Sequence, residues 1–165
     1  MSSSTPETWT AAVLTVSDSC ARGDRVDLSG PAVAETLRKR NFSIVGTEIV
    51  SDDQPEIEKA ILYWAGEARL VVTTGGTGIA ERDVTPEATR HVCQRLLEGV
   101  AERMRSEGAK KTPFAVLSRG TCGVRGKSVI LNLPGSPNGA LESLESVIDL
   151  LPHALQLLSG KTEHA

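Results

Sequence analysis

Residues 69–78 read Arg-Leu-Val-Val-Thr-Thr-Gly-Gly-Thr-Gly. A short β-branched apolar run that breaks at once into glycines is the signature of a strand buried on both faces and followed by a tight turn. Gly75, Gly76 and Gly78 let the backbone turn through positive φ and let a ligand come close. Their amides, with the hydroxyls of Thr74 and Thr77, can cradle phosphate oxygens. An ordinary turn between strand and helix would use the same residue types. The stretch is neither a G-x-G-x-x-G dinucleotide fingerprint nor a P-loop. Residues 123–128 (Gly-Val-Arg-Gly-Lys-Ser) look slightly like a P-loop, but Thr121 stands where a glycine is required, and the stretch precedes a strand.

Outward from this stretch, strands and helices alternate. Thr10–Val16 reads as a strand, Ser17–Ser29 as a polar loop, and Ser29-Gly30-Pro31 as the start of a helix to Arg40, with Ser29 as N-cap. Ser43–Val50 is a second strand. Ser51-Asp52-Asp53 then caps a helix over Gln54–Glu67 with Pro55 in its first turn. Beyond the glycines, Thr85-Pro86-Glu87 opens a helix through Leu97, with Thr85 as N-cap, and a further helix spans Val100–Gly108. Phe114–Ser118 is a short strand, Lys127–Leu133 a firm one, and Ala140–Leu158 forms one or two helices around Pro152. This order predicts an α/β fold of three layers, α/β/α, with a mostly parallel central sheet. One domain is expected over residues 10–160, with a flexible tail over residues 1–9.

In such folds ligands bind beyond the carboxyl ends of the strands. Here the small, glycine-bearing and acidic segments mostly follow strands: Ser17-Asp18-Ser19, Asp52-Asp53, Gly75–Gly78 with Asp83, and Pro134-Gly135-Ser136-Pro137-Asn138. They can therefore share one rim. Mg²⁺ takes one or two carboxylates plus phosphate oxygens and water, which makes Asp83 and Asp52 candidate ligands; either could instead serve as a helix cap. Ser118-Arg119 and Arg125-Gly126-Lys127 supply cations suited to phosphate or simply solvated. Ser136 heads a helix N-terminus, a plausible anion site or a plain tight connection.

Composition narrows the function classes. The chain has 165 residues, a formal net charge of -3 and 3% aromatics. An acidic chain is a poor general nucleic-acid binder, and the scarcity of aromatics disfavours base-stacking platforms. Cys20, Cys93 and Cys122 fit neither a disulfide framework nor a zinc spacing. His91, His153 and His164 are scattered, so a histidine-centred triad finds no support. No signal-peptide pattern opens the chain and no apolar run reaches the length of a membrane span, so a cytoplasmic address is expected.

Leu14–Ser19, Thr74–Gly78, Arg82-Asp83-Val84-Thr85-Pro86-Glu87-Ala88-Thr89, Leu117-Ser118-Arg119 and Leu131–Pro137 occur in this order at compatible spacing. Together they resemble the molybdopterin-binding domain of molybdenum cofactor biosynthesis, over about residues 11–158. The family includes bacterial molybdopterin adenylyltransferases, the B-type biosynthesis proteins and the G domains of gephyrin and its plant counterpart. The resemblance implies a homotrimer that adenylylates molybdopterin with Mg-ATP, with the molybdenum-insertion enzyme as a further partner. It carries the two important aspartates onto Asp52 and Asp83 as Mg²⁺ ligands, with a one-residue ambiguity at Asp53 because Ser51 replaces the usual proline. It also implies that Ser17, Asp18, Ser19, Thr74–Gly78, Ser118, Arg119 and Pro134–Asn138 line the nucleotide and pterin pockets. The alternatives are a B-type binding protein with little or no catalysis, a trimerising scaffold, and a nucleotide pyrophosphatase resembling the related competence-damage proteins.

Overall fold

The computed structural model describes residues 7–161. Six strands form one sheet in the order β2-β1-β3-β6-β5-β4: β1 Trp9–Val16, β2 Phe42–Val50, β3 Leu70–Thr74, β4 Arg95–Leu96, β5 Cys122–Arg125 and β6 Ser128–Leu133. β2, β1, β3 and β6 are parallel neighbours, and β5 is antiparallel to both β6 and β4. Seven α-helices accompany them: α1 Asp18–Ala21, α2 Ser29–Lys39, α3 Gln54–Glu67, α4 Thr85–Val92, α5 Glu98–Ala109, α6 Pro137–Val147 and α7 Leu151–Leu158. The expected three-layer α/β fold is the observed one. Of the expected tail, residues 1–6 lie outside the described part, and Trp9 already opens β1.

Successive strand side chains point to opposite faces, and both faces are apolar. Val13, Leu70, Val72, Leu131 and Leu133 pack with Val33 and Leu37 of α2, Met104 of α5, Leu144 of α6 and Leu155 of α7. Leu14, Val16, Val71 and Ile130 pack on the other side with Ile57 and Ile61 of α3 and Ala88 and Val92 of α4. Burial on both sides explains why β1, β3 and β6 read as continuous apolar runs.

Several local expectations are corrected. The loop after β1 contains the one-turn α1, capped by Ser17, whose Oγ accepts from the Cys20 amide. Ser29 lies inside α2, whose N-cap is Leu28; the Asp27 carboxylate, one residue earlier, accepts from the Gly30 amide at 3.0 Å. Thr85 likewise lies inside α4, whose N-cap is Val84. That helix stops at Val92 instead of reaching Leu97, because the Gln94 amide donates to Val124 at 2.8 Å and draws the chain into the sheet edge as β4. Phe114–Ser118 is not a strand: Pro113–Leu117 forms a 3₁₀ turn, with the Thr112 hydroxyl accepting from the Phe114 amide. Arg125, Gly126 and Lys127 make the β5–β6 turn at the amino end of β6, the end of the sheet opposite the rim. There Arg125 donates to the Val92 carbonyl.

Candidate active site

The carboxyl ends of β1, β2, β3 and β6 surround a cavity of about 300 Å³. Its walls include Ser17, Asp52, Thr74, Gly75, Gly76 and Asp83, and the loop after β6 adds Gly135, Ser136 and Pro137. Four loops far apart in the chain thus meet because parallel strands present their ends on one side.

Gly75 and Gly76 have φ of 93° and 68°. A Cβ on Gly75 would stand 2.3 Å from the Val16 carbonyl oxygen, and one on Gly76 2.3 Å from Thr85 Oγ1 and 3.2 Å from Asp52 Oδ1. Only glycine fits either place, so Asp52 Oδ1 faces bare loop backbone. Gly78 approaches Asp83 in the same way, with a notional Cβ 2.8 Å from Oδ2. Asp83 Oδ2 also accepts from the Ala80 amide at 3.0 Å.

Asp52 and Asp53 are now distinguishable. Asp53 caps α3, its carboxylate accepting from the Glu56 amide, and it is exposed. Asp52 lines the cavity. Partial burial pushes its carboxyl above the usual range, and the nearby Asp18 and Asp83 charges add to this. Among the described residues no group of three or more His, Cys, Asp or Glu forms a metal-binding cluster.

A second cavity, of about 440 Å³, adjoins the first through Ser136. Thr77, Gly78, Ser118 and Pro134 line it, with Met104, Phe114 and Leu117 giving it an apolar wall and Arg105 and Asn132 supplying polar groups. Ser136 also caps α6, its Oγ accepting from the Gly139 amide.

Asp18, Ser19, Arg119 and Asn138 line neither cavity. Arg119 is a clamp. It donates from Nε to the Gly78 carbonyl at 2.8 Å and from Nη2 to the Asp83 carbonyl at 2.6 Å, and it pairs with Glu87. That pairing holds the Glu87 carboxyl below its usual range. Asp18 accepts both guanidinium arms of Arg82, which lowers its own carboxyl pKa.

Sequence reading missed Asp27, Arg25 and Thr15 on the cavity wall. Thr15 donates to Asp27 Oδ2 at 2.7 Å, and Ser29 donates to Thr74 Oγ1 at 3.2 Å, so α2 is tied to β1 and β3 beneath the cavity. The available signal was Asp27 standing three residues before Gly30, the spacing of a side-chain cap. Cys20 lies on the cavity wall, whereas Cys93 and Cys122 line neither cavity, and burial pushes the Cys93 thiol up to about 11 and the Cys122 thiol up to about 12.

The chain is a three-layer α/β protein whose mostly parallel sheet carries a glycine cradle and two carboxylates at its carboxyl rim. Its family is equally definite. The chain belongs to the molybdopterin-binding-domain family of molybdenum cofactor biosynthesis, since residues 12–153 match the family described as a probable molybdopterin binding domain. It is 45% identical over 152 residues to the molybdopterin adenylyltransferase of Helicobacter pylori strain J99, covering 90% of this chain and 86% of that one. It is 36% identical to the molybdopterin adenylyltransferase of Escherichia coli K12, covering 90% and 84%. The structure of the molybdopterin biosynthesis enzyme MoaB from Thermus thermophilus superposes with a TM-score of 0.88 at 50% identity, covering 93% of this chain and 98% of that one.

Proposed function

We propose that this chain is a molybdopterin adenylyltransferase, transferring AMP from ATP to the terminal phosphate of molybdopterin. One observation carries the reading: the glycine cradle, Asp52 and Asp83 share a cavity that adjoins a larger apolar one through Ser136. The first suits a nucleotide's phosphates and the second a flat heterocycle. Thr74–Gly76, Ser17 and Gly135–Pro137 line the nucleotide phosphates, and Thr77, Gly78, Ser118 and Pro134 take part in the pterin pocket. Arg119, Asp18, Ser19 and Asn138 serve from outside the two walls.

The residues present fit Mg²⁺. Two carboxylates, rather than a full protein cage, leave room for phosphate oxygens and water, and Asp52 Oδ1 faces backbone that only a glycine leaves open. Asp52 and Asp83 would hold the ion, which when bound neutralises charge on the ATP phosphates. In the transfer itself an oxygen of the pterin phosphate attacks the α-phosphorus of ATP, the α–β bridging bond breaks and pyrophosphate leaves. The nucleophile is already an anion, so no general base is required. The chain's contribution is alignment and charge neutralisation.

This reading takes residues 10–160 as one domain, assembled as a homotrimer and working in the cytoplasm, where ATP is supplied. It passes its product to the molybdenum-insertion enzyme. Among the described residues no helix is long and apolar enough to cross a membrane. The test is pyrophosphate release from Mg-ATP with fresh molybdopterin, wild type beside Asp83→Ala. Release that requires pterin and vanishes in the variant supports the enzyme. Pterin binding without release by the wild type assigns a B-type binding protein instead.

A further inference from the structure

Three loops that follow the adjacent strands β2, β1 and β3 are joined by one chain of polar contacts. The Asp18 amide donates to Asp52 Oδ2 at 2.9 Å, and the Asp52 amide donates back to Asp18 Oδ1 at 3.0 Å. Arg82 then grips the same Asp18 carboxylate, from Nε to Oδ2 at 2.6 Å and from Nη2 to Oδ1 at 2.9 Å. The consequence for Asp52 is directional. One of its oxygens is held by the Asp18 amide, which leaves Oδ1 turned toward Gly76.

We infer that Arg82 and Asp18 are positioning residues for the proposed adenylyl transfer, acting through Asp52. Arg82 occupies both oxygens of Asp18, so that this third carboxylate neither swings into the cavity nor competes with Asp52 and Asp83 for a cation. The inference rests on the proposed reading of Asp52 as a metal-side carboxylate. Stability alone does not account for the arrangement. The Arg82 side chain is 64% exposed, and exposed ion pairs contribute little to folding. What the two-armed guanidinium adds is orientation, because its planar fork matches both carboxylate oxygens at once, whereas an ammonium group makes a point contact.

The test compares wild type with Arg82→Ala, Arg82→Lys and Asp52→Asn. Each protein is read in two ways: steady-state pyrophosphate release, and Mn²⁺ affinity in the presence of α,β-methylene ATP, which cannot transfer. Arg82→Ala is expected to weaken Mn²⁺ by about 10- to 100-fold, the usual cost of losing a group that orients a ligand. It lowers kcat while leaving KM for the pterin and the melting temperature unchanged. Arg82→Lys keeps the charge without the fork and falls between the two.

Wild-type Mn²⁺ affinity and kcat in Arg82→Ala, with both lost in Asp52→Asn, would overturn the positioning role and leave the metal reading standing. Full recovery in Arg82→Lys would also overturn it, since charge alone would then suffice. Retained Mn²⁺ binding and turnover in Asp52→Asn would overturn the reading of Asp52 as a metal-side carboxylate, and the positioning role with it.

Discussion

The Thr85 hydroxyl donates to the Gly75 carbonyl at 3.0 Å, and the Thr85 amide donates to the Gly76 carbonyl at 3.1 Å. One fully buried residue at the start of α4 therefore fixes the two loop residues with positive φ, Gly75 through its hydroxyl and Gly76 through its amide. Thr85→Val keeps the shape and removes the hydroxyl donor, leaving a buried carbonyl without it at a cost of about 1–3 kcal/mol. The expected result is a melting temperature lower by roughly 5 °C. Turnover falls further than stability does, because a misplacement of about 1 Å in a cradle can cost about 100-fold. Thr85→Ser restores both. Unchanged turnover in Thr85→Val would mean that the loop holds its shape without this bond.

Substituting the loop glycines separates conformational strain from steric exclusion. Gly76→Ala meets Thr85 Oγ1 and Asp52 Oδ1 as well as an unfavourable φ, whereas Gly23, at φ 80°, has nothing within 4 Å of its notional Cβ. Gly23→Ala should lose only about 1–2 kcal/mol from backbone strain and keep wild-type KM for ATP. Gly76→Ala should lose ATP binding outright. Equilibrium dialysis with labelled ATP, beside denaturant titration, distinguishes the two. Equal ATP affinity in both variants would show that the glycines serve the turn and not the ligand.

The Arg119–Glu87 pair makes a pH prediction. The folded-state carboxyl of Glu87 is held below its ordinary value of 4.5 by the Arg119 guanidinium. A depressed carboxyl stabilises the fold fully above the unfolded value, and that stabilisation is lost as pH falls through the folded one. Wild type should therefore melt above Glu87→Gln at pH 7. The gap should begin to close as pH falls toward 4.5 and should vanish at more acid pH, once the folded-state carboxyl is also protonated. Because both partners are partly exposed, the gap itself is modest. A gap that persists to the acid end would point to packing rather than charge.

Much of this was legible in the chain, for physical reasons that differ by element. β1, β3 and β6 announce themselves because both their faces are buried, so nearly every position is apolar or small; the buried Asn132 of β6 is hydrogen-bonded to Thr73 and Thr89. β5 does not: Cys122-Gly123-Val124-Arg125 is short, and Gly123 is kept free of a side chain by Cys93, which lies 2.6 Å from its notional Cβ. The helical pattern of α4 continues past Val92 in the sequence, and only pairing with β5 pulls residues 94–96 out of the helix. In the site, the glycine run and the two aspartates were visible as motifs on a common rim. Asp27 and the Arg82–Asp18–Asp52 chain were not, because their meaning lies in partners 12 to 64 residues away.

Asp52 and Asp53 should show opposite trades between stability and function. Asp53 caps α3 and lines neither cavity, so Asp53→Ala should lose about 1 kcal/mol of stability and keep pyrophosphate release. Asp52 carries a carboxyl whose ionised form burial and the neighbouring Asp18 and Asp83 charges disfavour. A raised carboxyl pKa means that the charge opposes folding at neutral pH. Asp52→Asn retains an oxygen to accept from the Asp18 amide while removing that charge. It is expected to melt at or above the wild-type temperature and to lose turnover. Such a gain in stability with loss of activity is the mark of a site whose strain serves its chemistry. If Asp52→Asn instead melts lower and still turns over, Asp52 is a structural acid, and the metal-side role passes to Asp83 alone.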